Sequence, residues 1–95
     1  METSNYQLID KEAISELKFP ESDVLSTSDA KNERLTDLNR ALSLGNLEQS
    51  KIKIYFQDSL SHKVVNTTIW GITDKRVILK KGIVIPIHRV HKVKF

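Results

Sequence analysis

The spacing of apolar residues divides the chain into a helical part and a strand part. Over residues 29–44 apolar side chains recur at helical spacing, which predicts one amphipathic helix. The side chains expected on its buried face are Leu35, Leu38, Ala41 and Leu42. Ser28 or Asp29 is the expected N-cap. Gly45 is the expected end, because glycine readily adopts the left-handed conformation that stops a helix.

After Ser50 the period of the pattern changes from 3.6 to 2, which predicts a series of short strands. The predicted strands are 51–57, 63–73, 76–80, 83–87 and 91–95. Short turns join them, so we expect an antiparallel meander. Gly71 lies inside the longest strand and allows the bend that a curled sheet needs, whereas Pro86 lacks a backbone N–H and marks an edge or a strand end.

A sheet this short buries its apolar face best by curling into a small barrel. We therefore predict an α+β fold in which an N-terminal helix packs on a small five-stranded antiparallel barrel, formed by residues 29–95. Residues 1–28 are predicted to be an acidic arm or linker, and two alternatives stay open for it. One is a short helix over residues 10–18, with Asp10 as N-cap and Ile14 in a hydrophobic staple; the other is a largely disordered segment.

Composition limits the class of protein. The chain has 95 residues, which fits one domain, and no cysteine, so we expect neither a disulfide framework nor a thiolate metal site. No apolar run approaches the ~20 residues needed to cross a bilayer, and the N-terminal segment has no apolar core of a secretory signal. We therefore expect a cytoplasmic protein without a membrane partner.

The net charge of +3 conceals a strong asymmetry between the two halves of the chain. Residues 1–50 carry ten acidic and five basic side chains, a net charge of −5, whereas residues 51–95 carry ten basic and two acidic ones, a net charge of +8. This polarity predicts either an anionic partner for the second half or an acidic first half that partly neutralises it.

Two segments resemble the Sm-like subset of SH3-type barrels. TDKRVILKKG, residues 73–82, resembles the segment that follows the second strand in the bacterial Sm-like RNA chaperone, and VIPIHRVHKV, residues 84–93, is similar to the closing motif of that family. The order of elements also fits, with a one-turn bridge between the fourth and fifth strands. The resemblance implies a small barrel and makes RNA a ligand to consider. The wider pattern also resembles small bacterial proteins for which no function is established.

Lysine alternates with apolar residues in two distant segments, KIKIYF at residues 51–56 and HKVKF at residues 91–95. If these segments pair, alternation directs the apolar side chains inward and the lysines outward. The predicted inward residues are Ile52, Ile54, Phe56, Val93 and Phe95. The predicted outward residues, which we call the lysine face, are Lys51, Lys53, Tyr55, Lys92 and Lys94.

Three interpretations of the lysine face stay open. Lysine on an exposed strand blunts edge-to-edge aggregation. Lysines also neutralise the phosphates of nucleic acid, and Tyr55 or Trp70 would then stack on a base. In the third interpretation, the acidic helix or arm of this chain or of a second subunit folds over the face.

Trp70, the only tryptophan, lies beside Ile69 in a predicted strand, so one of the two faces outward. We expect Trp70 to fill the interior or lie under the helix. An outward Trp70 would be a base platform or an interface anchor.

The sequence shows no arrangement of residues that is typical of a catalytic or metal-binding site. His88 and His91 fall on opposite faces of a strand, and His62 lies in a distant turn. His91 is expected to be a partly buried ring and His88 to cap the turn. There is no nucleophile motif, glycine-rich phosphate loop or carboxylate pair in the strand part. We expect no enzyme activity, no metal and no cofactor.

The sequence therefore predicts a non-catalytic binding module, with single-stranded RNA or DNA as the first ligand to test. The alternative is a protein-interaction or self-assembly module, including a homo-oligomer. In that alternative the exposed edges, Pro86 and residues 1–28 contact another chain, and the lysines keep the surface soluble.

Overall fold

The computed structural model describes residues 6–48 and 50–95, which form one α-helix and two sheets. In chain order the elements are β1 (Gln7–Ile9), a 3₁₀ helix (Lys11–Glu16), α1 (Ser28–Glu48), β2 (Ile52–Gln57), β3 (His62–Thr67), β4 (Ile69–Ile72), β5 (Arg76–Leu79), a 3₁₀ turn (Lys80–Gly82), β6 (Val84–Pro86), a second 3₁₀ turn (Ile87–Arg89) and β7 (Val90–Lys94). The α+β class predicted from the sequence is confirmed.

The strands of the first sheet lie in the order β1-β3-β2-β7, and those of the second in the order β4-β5-β6. All neighbours pair antiparallel except β1, which joins β3 in parallel. Within the described part of the chain, the ladders form two sheets and not one closed barrel. Pro86 ends β6, which is an edge strand of the second sheet, as its missing N–H predicted.

The predicted strand 63–73 is in fact two strands that belong to different sheets. The chain crosses from the first sheet to the second at Thr68, not at Gly71. Thr68 is held on both sides: its carbonyl oxygen accepts a hydrogen bond from the Lys80 N–H at 3.0 Å, and its hydroxyl donates to the Ser50 carbonyl oxygen at 3.4 Å. The break therefore depends on partners that lie far away in sequence.

The helix α1 begins close to the predicted position but with a different cap. Thr27 Oγ1 accepts a hydrogen bond from the Ala30 N–H at 3.1 Å, so Thr27 caps the helix instead of Ser28 or Asp29. α1 then runs to Glu48 and passes through Gly45, the residue predicted to end it. No helix among the described residues is long and apolar enough to span a membrane.

The buried face of α1 is rotated relative to the predicted one. Leu38 and Ala41 are buried as expected, but Leu35 is 45% exposed. Its place is taken by Arg34, which is buried and continues the helical spacing of Leu38, Ala41 and Gly45. The spacing of hydrophobic residues does not predict a cation at the start of the buried face of a helix.

One core joins both sheets, the helix and the arm. Its buried members are Ile14, Leu38, Ala41, Ile52, Ile54, Phe56, Val65, Ile69, Val77, Leu79, Ile85, Val90 and Val93. The predicted inward residues of β2 and β7 are thus confirmed, except for Phe95. Phe95 follows the end of β7, is 55% exposed, and lies with its ring centroid 4.8 Å from the Arg40 guanidinium.

Residues 6–27 pack against the rest of the chain, and residues 1–5 of the predicted arm lie outside the described residues. β1 extends the first sheet, and Ile14 in the following 3₁₀ helix is 1% exposed and part of the core. This 3₁₀ helix occupies most of the predicted 10–18 helix, but the Asp10 side chain makes no capping hydrogen bond.

Two buried arginines fix the arm to the rest of the chain. Arg34 donates from Nη1 and Nη2 to the Asp23 carboxylate, both at 2.9 Å, and from Nη1 to the Val90 carbonyl oxygen at 3.0 Å. Arg89 donates from Nη1 to the Ser22 carbonyl oxygen at 2.8 Å. The acidic arm is therefore fixed to the basic half of the chain by specific contacts.

Candidate nucleic-acid interface

The first and last predicted strands of the barrel lie side by side, as the lysine face requires. β2 pairs antiparallel with β7, with Lys53 opposite Lys94 and Tyr55 opposite Lys92. Directly opposed residues of an antiparallel ladder have their β-carbons about 5 Å apart, so two like charges are held close together. Lys51, Lys53 and Lys94 are exposed, and Lys92 is half-buried.

Carboxylates do not neutralise these amines at ion-pair distance among the described side chains. The ion pairs found there are Lys11–Glu12, Arg34–Asp23 and Lys63–Asp58. Glu33 and Asp37 of α1 do line a small cleft of ≈ 170 Å³ together with Lys92. Among the described side chains, these two acidic groups of the first half therefore approach the Lys92 end of the lysine face.

Tyr55 belongs to the lysine face, but its ring is covered. The residue is only 5% exposed. The Tyr6 ring packs edge-on against it at 5.0 Å, and Lys92 Nζ lies 5.3 Å from its centroid. With the arm docked in this way, Tyr55 offers no free face to a base, contrary to its predicted role.

Trp70 faces outward, and the expectation that it fills the interior is wrong. It is 54% exposed, whereas the neighbouring Ile69 is fully buried. The ladder register passes from Ile69 opposite Leu79 to Gly71 opposite Ile78, which leaves Trp70 at a β-bulge. Because Trp70 belongs to the second sheet, it is not part of the lysine face.

The structure brings together a histidine pair that the sequence patterns missed. The rings of His62 and His91 stack at 5.3 Å, and Tyr6 packs edge-on against both, at 5.2 and 6.0 Å. His91 Nε2 lies 3.1 Å from Gln57 Oε1, and His62 is the ladder partner of Gln57. Had His62 been assigned to the strand instead of the turn, pairing of β2 with both neighbours would have predicted the contact.

Burial lowers the pKa of the His91 imidazole below its usual 6.5, and the positive charges of His62, Arg89, Arg34 and Lys92 act in the same direction. His88 is separate from this pair. Its Nε2 lies 2.8 Å from the Pro20 carbonyl oxygen, so it holds the arm instead of capping its own turn. No group of three or more metal-binding side chains is found within the described residues.

Lys63 is a base of the second half that does not belong to the basic surface. It is buried at the start of β3, where Nζ donates to Asp58 Oδ2 at 2.9 Å and to Ser61 Oγ at 2.6 Å. Asp58 also accepts from the backbone N–H groups of Leu60 and Ser61, at 2.9 and 2.8 Å. This ion pair shapes the turn between β2 and β3.

A larger surface cleft of ≈ 590 Å³ lies between the arm, α1 and the second sheet. Its ionisable lining residues are Glu21, Asp23, Arg34, Asp74, Lys75, Arg76 and His88. Acids and bases are mixed here, and Arg34 is already paired with Asp23. The cleft does not by itself define an anion site.

Comparison of the chain with protein-family models, with curated proteins and with solved structures finds no significant match.

Proposed function

We propose that this protein is a non-catalytic binding module whose lysine face binds single-stranded nucleic acid. The observation that carries the proposal is the direct opposition of Lys53 and Lys94 in the β2–β7 ladder. Like charges in this position destabilise the sheet, so an anionic ligand that neutralises them gains binding energy. Lys92, opposite Tyr55 in the same ladder, adds to this basic surface, and the exposed Lys51 directly precedes β2.

Protection of a sheet edge explains the lysines of β7 but not Lys53 of β2. β7 is the edge strand of the first sheet, and lysines there keep other chains from pairing with it. β2, however, lies between β3 and β7, so Lys53 does not guard an edge. An interior strand with an exposed lysine opposite another lysine favours a ligand over simple protection.

The chemistry of the surface favours contacts with phosphates over contacts with bases. Lys51 and Lys53 lie two residues apart, about 6.6 Å along the chain, comparable to the distance between successive phosphates of an extended single strand. Because Tyr55 is covered, the face has no free aromatic platform. Binding is therefore expected to be largely independent of base sequence and to weaken steeply with salt.

The resemblance to Sm-like barrels supports RNA as the ligand, and we propose that residues 29–95 form a curled, Sm-like sheet in a cytoplasmic protein. Three features support this proposal: the pairing of β2 with β7, the 3₁₀ turn Ile87–Arg89 between the last two strands, and the passage of one long strand into both sheets at Thr68. A protein-interaction function is the second candidate, favoured by the exposed Trp70.

The proposal is tested by titrating a fluorescently labelled single-stranded oligouridylate and following its anisotropy at about 50 and about 200 mM salt. We expect salt-sensitive binding that is abolished by the double substitution Lys53→Glu and Lys94→Glu. The matched control is Lys18→Glu with Lys75→Glu, which changes the net charge equally at two exposed positions away from the face. An affinity that does not change with salt concentration, or that both double variants weaken equally, would reject the lysine face as the site.

A further inference from the structure

An apolar stripe crosses the outer face of the second sheet. It consists of Trp70 from β4, Ile78 from β5 and Val84 from β6. Trp70 is 54% and Val84 is 40% exposed, and Ile78 is half-buried between them. Ile78 is the ladder partner of Val84 on one side and of Gly71 on the other. Because neighbouring strands lie about 4.8 Å apart, the stripe is roughly 10 Å long.

The β-bulge in β4 is what leaves this stripe open. It places both Trp70 and Gly71 opposite Ile78, and bulges characteristically re-aim a side chain in this way. Gly71 has no side chain with which to cover its neighbour, and a β-carbon there would already lie 3.6 Å from Ile78 Cδ1. The Trp70 ring makes no contact with another aromatic ring or with a cation among the described residues.

Basic side chains lie at both ends of the stripe's central strand. Arg76 lies two residues before Ile78 in β5 and therefore shares its outer face, whereas Lys80 begins the 3₁₀ turn that directly follows β5. Both are exposed, and neither takes part in an ion pair within the described residues. Residues 69–86 as a whole hold four basic side chains and one acidic one, Asp74.

The stripe continues into the larger cleft. Arg76 is the ladder partner of Pro86, and both residues line the cleft of ≈ 590 Å³. Phe19 and Ile87 add apolar surface to the same cleft. A chain that lies across the stripe can therefore follow a continuous path past Arg76 into this depression.

We propose that the stripe is a docking surface for an acidic peptide segment that carries apolar side chains. An exposed tryptophan beside aliphatic side chains has the composition of an interface hot spot. Cations at both ends of the central strand complement carboxylates that flank an apolar anchor. Trp70 is the single aromatic ring of the stripe, and its other members, Ile78 and Val84, are aliphatic, which favours apolar peptide side chains over a row of stacked bases. The surface is separate from the lysine face, because the two belong to different sheets.

Trp70 is the only tryptophan of the chain, so its fluorescence reports directly on the stripe. The probe is a synthetic peptide of alternating glutamate and leucine. One control peptide has lysine in place of glutamate, and the other has serine in place of leucine. We expect a saturable change in emission with the glutamate–leucine peptide alone. Equal responses to all three peptides, or no change at millimolar concentrations, would overturn the proposal.

Variants then locate the contact. We expect Val84→Ser and Arg76→Glu each to weaken peptide binding about tenfold. Lys53→Glu, on the outer face of the other sheet, is the control and is expected to leave peptide binding unchanged.

A response of Trp70 to an oligonucleotide and not to the peptide would overturn the proposal in favour of nucleic acid. A change in emission that depends on protein concentration alone would overturn it in favour of a second copy of the chain. Neither result bears on oligonucleotide binding at the lysine face, which is measured with Lys53 and Lys94 variants.

Discussion

Gly45 of α1 lies directly against the backbone of Ile69 in β4: a β-carbon at position 45 would come within 2.7 Å of the Ile69 carbonyl oxygen. It would also stand 3.0 Å from Thr68 Cγ2. The helix thus lies close against the sheets where the chain crosses from one to the other. The glycine serves this approach and not the end of the helix.

Gly45→Ala is expected to lower the free energy of unfolding by about 1–3 kcal/mol, because the helix must move away from β4. Alanine favours a helix over glycine by about 1 kcal/mol, which offsets part of the loss. Urea denaturation measures the difference. Gly71→Ala is the control: its β-carbon meets nothing closer than 3.6 Å, so it is expected to be nearly neutral. A Gly45→Ala protein more stable than the wild type would mean that the helix is free to shift.

Lys63→Met is expected to lower the free energy of unfolding by about 3–5 kcal/mol, because it leaves the Asp58 carboxylate buried without its counter-charge. Asp58 is 2% exposed and Lys63 8%. In a double-mutant cycle with Asp58→Asn, the double variant should lose less than the sum of the single losses. Additive losses would show that the two side chains do not act as a pair.

Stability is expected to fall as the pH drops below about 6.5, because the pKa of His91 is lowered in the folded protein. In this pH range the unfolded chain binds a proton at His91 more readily than the folded chain does. The stability that neutral His91 contributes is therefore fully present above pH 6.5 and is lost as the pH falls through the lowered pKa of the folded protein. Denaturation at a series of pH values measures it. His91→Gln is expected to flatten the curve in this window; an unchanged curve would assign the effect to another group.

A second loss is expected in more acidic solution, below the ordinary aspartate pKa of 3.8. The hydrogen bond from Arg34 lowers the pKa of Asp23. For Asp58, burial acts to raise the pKa, but hydrogen bonds from Lys63, Ser61 and Leu60 together lower it. The stability that these carboxylates contribute is present above 3.8 and is lost as the pH falls through their lowered pKa values. Asp23→Asn should reduce this acid-dependent loss.

Arg89→Met is expected to loosen the arm more than the sheets. Arg89 joins β2 to the arm, since Nε donates to the Gln57 carbonyl oxygen at 3.0 Å and Nη1 to the Ser22 carbonyl oxygen at 2.8 Å. Hydrogen exchange should accelerate at Val24, whose N–H donates to the His88 carbonyl oxygen, with β2 less affected. The exposed Arg76→Met is the control. Equal acceleration in arm and sheets would show that the arm unfolds only with the domain.

Local periodicity determined much of this fold. The change of period after Ser50 separates helix from strands, and alternation in residues 51–56 and 91–95 assigns Ile52, Ile54 and Val93 to the core. These predictions succeed because the rise and turn of the backbone set which side chains share a face. The lysines of the candidate site follow from the same alternation.

Contacts between distant segments decided the rest. Tyr55 is covered because Tyr6 lies on it, and Leu35 is exposed because Arg34 finds partners in the arm and in β7. The break at Thr68, the bulge at Trp70 and the stacking of His62 on His91 likewise depend on a neighbouring strand. The sequence alone determined which side chains share a face, since that follows from the backbone period. Only the tertiary structure decided which of those faces is covered, since that depends on the segment packed against it.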